Sequence, residues 1–90
     1  MITGRKFKLS NPKGLNFKEC IQLRQLAKQL NCKLSVRVED KLYNLKGILA
    51  MLLLMMAEGE ELEITARGTN AERAMVKLQN FHAFNFRAGK

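Results

Sequence analysis

Residues 44–57 read NLKGILAMLLLMMA, and the ten residues from Ile48 to Ala57 are apolar without interruption. This run is too short to cross a bilayer, which requires roughly 20 apolar residues in a helix. Its Leu, Met and Ala content favours a helix over a strand. Because a helix turns about 100° per residue, side chains that are apolar on all sides cannot all face one small core. The stretch therefore predicts either a core helix with a few exposed Leu and Met side chains or a helix that contacts a partner.

Four other segments alternate between apolar and polar residues, which predicts strands. They are residues 5–10, 33–39, 42–45 and 61–67. The side chains expected to face inward are those of Phe7, Leu9, Leu34, Val36, Val38, Leu62, Ile64 and Ala66. Residues 39–41 are expected to form the tight turn of a hairpin. One apolar and one polar face on every strand indicates an antiparallel sheet that is covered on one side.

Two further helices have recognisable starts. After the turn residues 11–14, Asn16 is a favoured N-cap and Glu19 completes a capping box, with Leu15 placed to pack on Cys20. Residues 69–72 (TNAE) predict a second capping box. The residues with core spacing in these two helices are Cys20, Leu23, Ala27, Leu30, Ala71, Ala74 or Met75, Leu78 and Phe81. Gly59 is expected to end the central apolar helix.

The element order is therefore β-α-β-β-α-β-α, an α+β fold with a four-stranded antiparallel sheet and three helices on one face. Ninety residues make a single domain, 1–90, with its core in about residues 5–83 and a tail, 84–90, that is expected to fray. Nothing at the N-terminus resembles a signal peptide, so we expect a cytoplasmic protein.

The composition limits the functions that need to be considered. The net charge is +8, and residues 1–46 hold eleven Lys or Arg against three acidic residues, whereas residues 47–90 hold five of each sign. This basic first half favours an acidic partner, either a protein or a nucleic acid. Cys20 and Cys32 are twelve apart without a CxxC pattern, which predicts buried free thiols and no metal site. No motif indicates a cofactor.

From Phe7 to Phe81, without a gap, the sequence resembles the HPr family. These are the histidine-containing phosphocarrier proteins of the bacterial phosphoenolpyruvate:sugar phosphotransferase system. The landmarks are Gly14-Leu15, Asn44-Leu45-Lys46 and Ala66-Arg67-Gly68, which precede the three helices. The resemblance implies an open-faced β-sandwich, which is the arrangement that the alternation of apolar residues predicts independently.

The phosphorylation sites of the family are not retained. The family motif after the first glycine reads roughly G-[LI]-H-A-R-P, and its histidine accepts a phosphoryl group from Enzyme I. Here Asn16 stands at the acceptor position, Lys18 replaces the arginine and Glu19 replaces the proline. Gly47 stands where many Gram-positive members carry a regulatory serine. His82, the one histidine, lies near the end of the third helix and is expected to be a surface or helix-capping residue.

The resemblance implies docking through the first and second helices. The matching positions are Phe17, Lys18, Ile21, Arg24, Ile48, Leu49 and Leu52. Leu53 and Met55 are large and apolar where the family usually has small or polar residues, and we expect both to lie on the outside. We predict an HPr-like regulatory or interaction module that is not an enzyme and carries no phosphate, with Enzyme I or another phosphotransferase-system or regulatory protein as its partner.

Several alternatives remain open at this point. The exposed apolar side chains of residues 48–56 also predict a homodimer through the central helix. Asn16 and Glu19 can form a purely structural cap. A small basic nucleic-acid-binding domain is the alternative function, although the predicted strands expose no pair of aromatic side chains for stacking on bases. A membrane partner is not expected.

Overall fold

The computed structural model describes residues 1–9, 13–56 and 61–85. Within these residues the chain forms five strands and three helices. They are β1 (Ile2–Leu9), α1 (Phe17–Gln29), β2 (Lys33–Val38), β3 (Lys41–Asn44), α2 (Ile48–Met56), β4 (Glu61–Arg67), α3 (Ala71–Gln79) and β5 (Phe84–Asn85). The predicted stop at Gly59 and the turn residues 11 and 12 lie outside the described residues. None of the helices in the described part of the chain is long and apolar enough to cross a membrane.

The strands of the described residues form one antiparallel sheet in the order β3-β2-β4-β1-β5. The register places Phe7 opposite Leu62 and Val36 opposite Ile64, so that their side chains lie on the same face. These four side chains are buried, whereas the next residue along each strand is exposed or half-buried. The predicted open-faced α+β fold, with helices over one face of an antiparallel sheet, is therefore confirmed.

The core lies between the sheet and the three helices. Leu23 and Ala27 of α1, Leu54 of α2, and Met75 and Leu78 of α3 are completely buried. Each helix thus contributes a stripe of side chains with helical spacing, as expected for elements that cover one face of a sheet.

Both ends of the sheet differ from the prediction. β1 begins at Ile2 rather than Arg5, because Ile2 already pairs with Arg67 of β4. The first residues of this strand lack the alternation of inward apolar side chains by which the sequence predicts a strand. Phe84 and Asn85 add the short strand β5 beside β1. The Phe84 ring stacks on Phe7 with 5.0 Å between ring centroids, so an aromatic contact accompanies this pairing. Residues 86–90 of the predicted frayed tail lie outside the described residues.

The β2–β3 hairpin is confirmed, with a two-residue turn. Val38 pairs with Lys41, so Glu39 and Asp40 form the loop and Lys41 already belongs to β3. Glu39 has a φ of +56°, the left-handed conformation that two-residue hairpin loops commonly require.

The second predicted capping box is wrong. The N-cap of α3 is Asn70, and no side chain donates or accepts a capping hydrogen bond there. Glu72, the expected partner of Thr69, instead accepts a hydrogen bond from Arg5 of β1 at 2.8 Å. A tertiary ion pair has therefore replaced the local interaction that the TNAE pattern predicts.

The two helix starts predict different responses to truncation. Asn16→Ala should lower the free energy of unfolding by about 1 kcal/mol, since it removes a side-chain cap. Thr69→Ala should change it by less than about 0.5 kcal/mol, since no cap is lost. Urea unfolding followed by circular dichroism measures both values. Equal losses in the two variants would contradict this assignment of the caps.

Candidate functional site

The first turn of α1 is closed by the capping box that the sequence predicts. The Asn16 Oδ1 atom accepts a hydrogen bond from the Glu19 backbone N–H at 2.7 Å. The Glu19 Oε1 atom accepts one from the Asn16 backbone N–H at 3.0 Å. Both side chains are thus engaged by the end of the helix itself. The amide nitrogen of Asn16 has no lone pair available to attack phosphorus, so this position offers no phosphoryl acceptor.

Gly14 and Leu15 place the start of α1 beside α2. Gly14 has a φ of +101°, which its lack of a side chain permits. The backbone N–H of the buried Leu15 donates a hydrogen bond to the Leu54 carbonyl oxygen at 3.0 Å. This main-chain bond ties the start of α1 to the second half of α2, so the exposed sides of the two helices form one continuous surface.

A cavity of about 200 Å³ lies between the two helices on this surface. We call it the α1/α2 groove, and it is lined by Phe17, Cys20, Ile21, Arg24, Ile48, Met51, Leu52 and Met55. Seven of these eight side chains are apolar. The side chains of Phe17 and Ile48 are 69% and 59% exposed, so the rim of the groove projects apolar groups into solvent.

Among the described residues, Arg24 is the one charged residue that lines the groove. It is half-buried, and its Nε atom donates a hydrogen bond to the Lys46 carbonyl oxygen at 3.4 Å. Lys46 in turn donates from Nζ to the Leu30 carbonyl oxygen at 2.8 Å. Lys18 and Lys28 are exposed on the same helix, whereas α2 carries no charged residue. The charge around the groove is therefore carried by α1 and is mainly positive.

The structure brings six of the predicted docking residues together in the groove. They are Phe17, Ile21, Arg24, Ile48, Leu52 and Met55. Lys18 and Leu49 are exposed but do not line it. Leu53 and Met55 are half-buried rather than fully outside, because the exposed side of α2 is formed by Ile48, Leu49, Leu52 and Met56.

Two residues that line the groove are not among the predicted docking residues. The sequence pattern assigns Cys20 to the core and leaves Met51 unassigned. Both are buried, and the Cys20 Sγ atom donates to the Met51 carbonyl oxygen at 3.5 Å. Burial raises the pKa of the Cys20 thiol, and the nearby Glu19 carboxylate adds to the increase. Periodicity alone cannot show that a buried residue also forms the floor of a groove. Both cysteines are free thiols, as predicted, although Cys32 is only half-buried.

Gly47 lies in a tight turn immediately before α2. Its backbone N–H donates a hydrogen bond to the Asn44 carbonyl oxygen at 2.9 Å. A Cβ atom added at Gly47 would lie 3.3 Å from that same oxygen, closer than most real contacts of this kind. A serine here would therefore require a small shift of the turn.

His82 contacts the middle of α1 rather than its first turn. It follows the end of α3, is exposed, and its Nε2 atom lies 2.7 Å from Gln22 Oε1 on α1. Its ring also contacts Phe81, with 4.8 Å between ring centroids. Across residues 1–9, 13–56 and 61–85, no three His, Cys, Asp or Glu side chains are grouped closely enough to hold a metal ion.

Solved structures of three phosphocarrier proteins have the same fold. HPr from Bacillus anthracis superimposes with a TM-score of 0.77 at 22% identity, covering 89% of this chain and 95% of that protein. HPr-C-His from Thermoanaerobacter tengcongensis gives 0.75 at 22% identity, with 84% and 85% covered. The histidine-containing phosphocarrier protein of Mycoplasma gives 0.77 at 20% identity, with 88% and 90% covered.

The family itself is shown by sequence. The model for the HPr component phosphorylation site of the phosphotransferase system (PTS) matches residues 3–83, which is most of the chain. Together with the shared fold, this match shows that the chain belongs to the HPr family of the PTS, a family of phosphocarrier proteins rather than enzymes.

Proposed function

We propose that this protein is a docking module of the phosphotransferase system that binds a protein partner through the α1/α2 groove and carries no phosphoryl group. The observation that supports it best is the Asn16–Glu19 capping box beside the groove. The residue that the resemblance places at the family's acceptor position serves as a helix cap, while the neighbouring surface has the apolar and basic character that docking requires. At the regulatory position, Gly47 has no hydroxyl group to modify.

The groove favours a partner that is apolar at the centre and acidic at the edge. The exposed side chains of Phe17, Ile48 and Leu52 provide an apolar area, and Arg24 and Lys18 provide positive charge beside it. Charge at the edge of an interface mainly accelerates association and selects the partner, whereas the apolar centre contributes most of the affinity. Enzyme I, or a regulatory protein of the same system, is the partner that family membership favours.

Reversing the charge of the groove should weaken docking. Arg24→Glu is expected to weaken binding to purified Enzyme I by roughly tenfold or more, because it places a carboxylate in the apolar groove. Lys77→Glu on the exposed side of α3 makes the same change in net charge and should have less than about a twofold effect. Isothermal titration calorimetry measures both, with circular dichroism confirming that the variants are folded. Equal weakening by the two changes would show that the net charge alone matters.

Nucleic-acid binding through the sheet, the alternative function, gains no support from the described strands. Phe7 and Phe84 are buried against the helices, and Tyr43 is half-buried and packs against the core. The described part of the sheet therefore presents no pair of aromatic rings on its outer face for stacking on bases.

A homodimer through residues 48–56 is the second candidate. Leu49 and Leu52 are each at least half exposed on α2, and Met56 is 75% exposed at its end. Contiguous exposed apolar side chains of this kind commonly mark an interface. A second copy would use the same side of α2 as another partner, so self-association and docking would compete.

Sedimentation measures this self-association directly. The protein at high micromolar concentration is expected to sediment as a dimer, and Leu49→Ser with Leu52→Ser should convert it to a monomer. Val76→Ser is the control, since Val76 is 46% exposed but belongs to α3 rather than to α2. A monomer at every concentration would rule out the dimer, and a dimer that survives the double change would place its interface elsewhere.

A further inference from the structure

The outer face of the sheet, away from the helices, has two differently charged ends. At one end charges of both signs meet, because Arg37 Nε lies 3.2 Å from Glu63 Oε1 and Lys6 pairs in register with Glu63. At the other end Lys33 of β2 lies directly opposite Arg67 of β4. Both are exposed, and neither forms an ion pair within residues 1–9, 13–56 and 61–85. Like charges directly opposite each other destabilise a strand pair, and a bound anion would relieve that repulsion.

Polar groups that can contact an anion lie beside this pair. Ser35 is two residues after Lys33 on the same face, with Thr65 opposite it on β4 and Asn44 opposite it on β3. The Asn44 Oδ1 atom already accepts a hydrogen bond from the Lys46 backbone N–H at 2.9 Å. Its Nδ2 group remains a donor. The two cations Lys33 and Arg67, the hydroxyl groups of Ser35 and Thr65, and the Asn44 amide therefore lie at neighbouring register positions on β2, β3 and β4.

A depression of about 260 Å³ lies over β2 and β3 at this place. It is lined by Lys33, Leu34, Ser35, Leu42, Tyr43 and Asn44. Leu42 is 58% exposed and forms an apolar wall at the side away from Lys33. At about 30 Å³ per water molecule, the depression has room for more than an inorganic phosphate ion. The depression has the cationic Lys33 at one end, the polar side chains of Ser35 and Asn44 beside it, and the apolar Leu42 at the other end. This arrangement suits a ligand with one anionic end and a larger body.

We propose that this depression binds a small organic phosphate. The phosphoryl oxygens contact Lys33, which lines the depression, and Arg67, which lies directly opposite Lys33 on β4 just outside that lining. Charge-assisted hydrogen bonds of this type are the strongest contacts available here. The body of the ligand lies along Ser35 and Asn44 towards Leu42. This site is on the opposite face of the sheet from the α1/α2 groove and does not depend on the docking function proposed above.

Nuclear magnetic resonance titration of the ¹⁵N-labelled protein tests the site. The probes are adenosine monophosphate and glucose 6-phosphate, with adenosine, glucose and inorganic phosphate as comparisons. At least one of the two esters should produce saturable shifts in the backbone amides of residues 33–35, 42–44 and 65–67. The unphosphorylated compounds should produce none, and inorganic phosphate should bind more weakly than the ester.

Matched variants distinguish binding at this site from a nonspecific attraction of the phosphate ester to a basic protein. Lys33→Gln and Arg67→Gln should each weaken ester binding by roughly tenfold, whereas Lys77→Gln on α3 should change it by less than about twofold. All three variants remove one positive charge at an exposed position. Shifts spread over the lysines of α1, equal binding of inorganic phosphate and both esters, or equal losses in the three variants would each overturn the proposal. Tighter binding of a single-stranded oligonucleotide than of either ester would also overturn it, because the site would then be one for nucleic acid.

Discussion

Incubation with Enzyme I and phosphoenolpyruvate is expected to leave the mass of this protein unchanged. Asn16 offers no nucleophile, and its side-chain oxygen is engaged by the Glu19 backbone N–H. Intact-mass spectrometry at rising Enzyme I concentration measures the result. Phosphorylation of the unaltered protein would contradict the proposed function, and mapping the phosphoryl group to His82 would identify a different acceptor.

Restoring a histidine should not by itself restore efficient transfer. In Asn16→His the carboxylate of Glu19 would remain in the first turn of α1, where it now contacts the backbone N–H of residue 16. An incoming phosphoryl group would meet that negative charge. Two unit charges ~6 Å apart at an effective dielectric constant of about 20 repel by roughly 3 kcal/mol, before screening by salt. The single variant should therefore accept phosphate only slowly.

Removing the carboxylate should increase the rate. The double variant Asn16→His, Glu19→Gln should be phosphorylated faster than Asn16→His by roughly tenfold or more. Without the carboxylate this repulsion is absent, and each 1.4 kcal/mol removed from the activation free energy raises the rate about tenfold. Adding Phe17→Ala should increase it further, because the Phe17 ring is exposed beside position 16, where the resemblance implies a small alanine.

The control is Asn16→His with Glu72→Gln, which removes a carboxylate from α3 instead. Glu72 is exposed and paired with Arg5, remote in sequence from the start of α1. This variant should match the single Asn16→His protein. Equal rates in the Glu19 and Glu72 variants would show that Glu19 is only a helix cap.

Two neighbouring leucines of α2 should differ strongly in their contribution to stability. Leu54 is completely buried, and Leu52 is 50% exposed. Leu54→Ala should lower the free energy of unfolding by about 3 kcal/mol, the loss of transfer energy plus the cavity left behind. Leu52→Ala should lower it by less than about 0.5 kcal/mol.

Urea unfolding of the two variants at the same low protein concentration measures this difference. Because both substitutions remove the same atoms from the same helix, helix propensity cancels in the comparison. The slope of the free energy of unfolding against urea concentration should be the same in both variants, so that the shift in the unfolding midpoint reports stability alone. A loss for Leu52→Ala as large as that for Leu54→Ala would show that Leu52 is buried in solution, either by a second copy or by a rotation of α2.

The elements that the sequence predicts well are those specified by local interactions. The capping box at Asn16 is formed by groups three residues apart, and the structure confirms it. The alternation in residues 33–39 and 61–67 corresponds to β2 and β4 because each strand has one buried and one solvent-facing side. The HPr resemblance depends on the ungapped match from Phe7 to Phe81 and on the short motifs that precede the helices, and the family match over residues 3–83 confirms it.

Two of the misses involve partners that are distant in the sequence. Glu72 forms an ion pair with Arg5, 67 residues earlier, and therefore does not complete the predicted cap of α3. Phe84 joins the sheet edge and stacks on Phe7. A strand of two residues has too little pattern to be recognised before that contact is known.

The sequence by itself determined that residues 48–56 form a helix and that position 16 has no phosphoryl acceptor, since helix propensity and side-chain chemistry belong to the residues themselves. Only the tertiary structure decided which side of α2 faces solvent. A run that is apolar on all sides has no preferred orientation of its own. The packing of Ala50, Met51 and Leu54 into the core and the bond from Leu15 to the Leu54 carbonyl oxygen fix the rotation of the helix. They leave Ile48, Leu49, Leu52 and Met56 outside because a small core has room for one side of a helix.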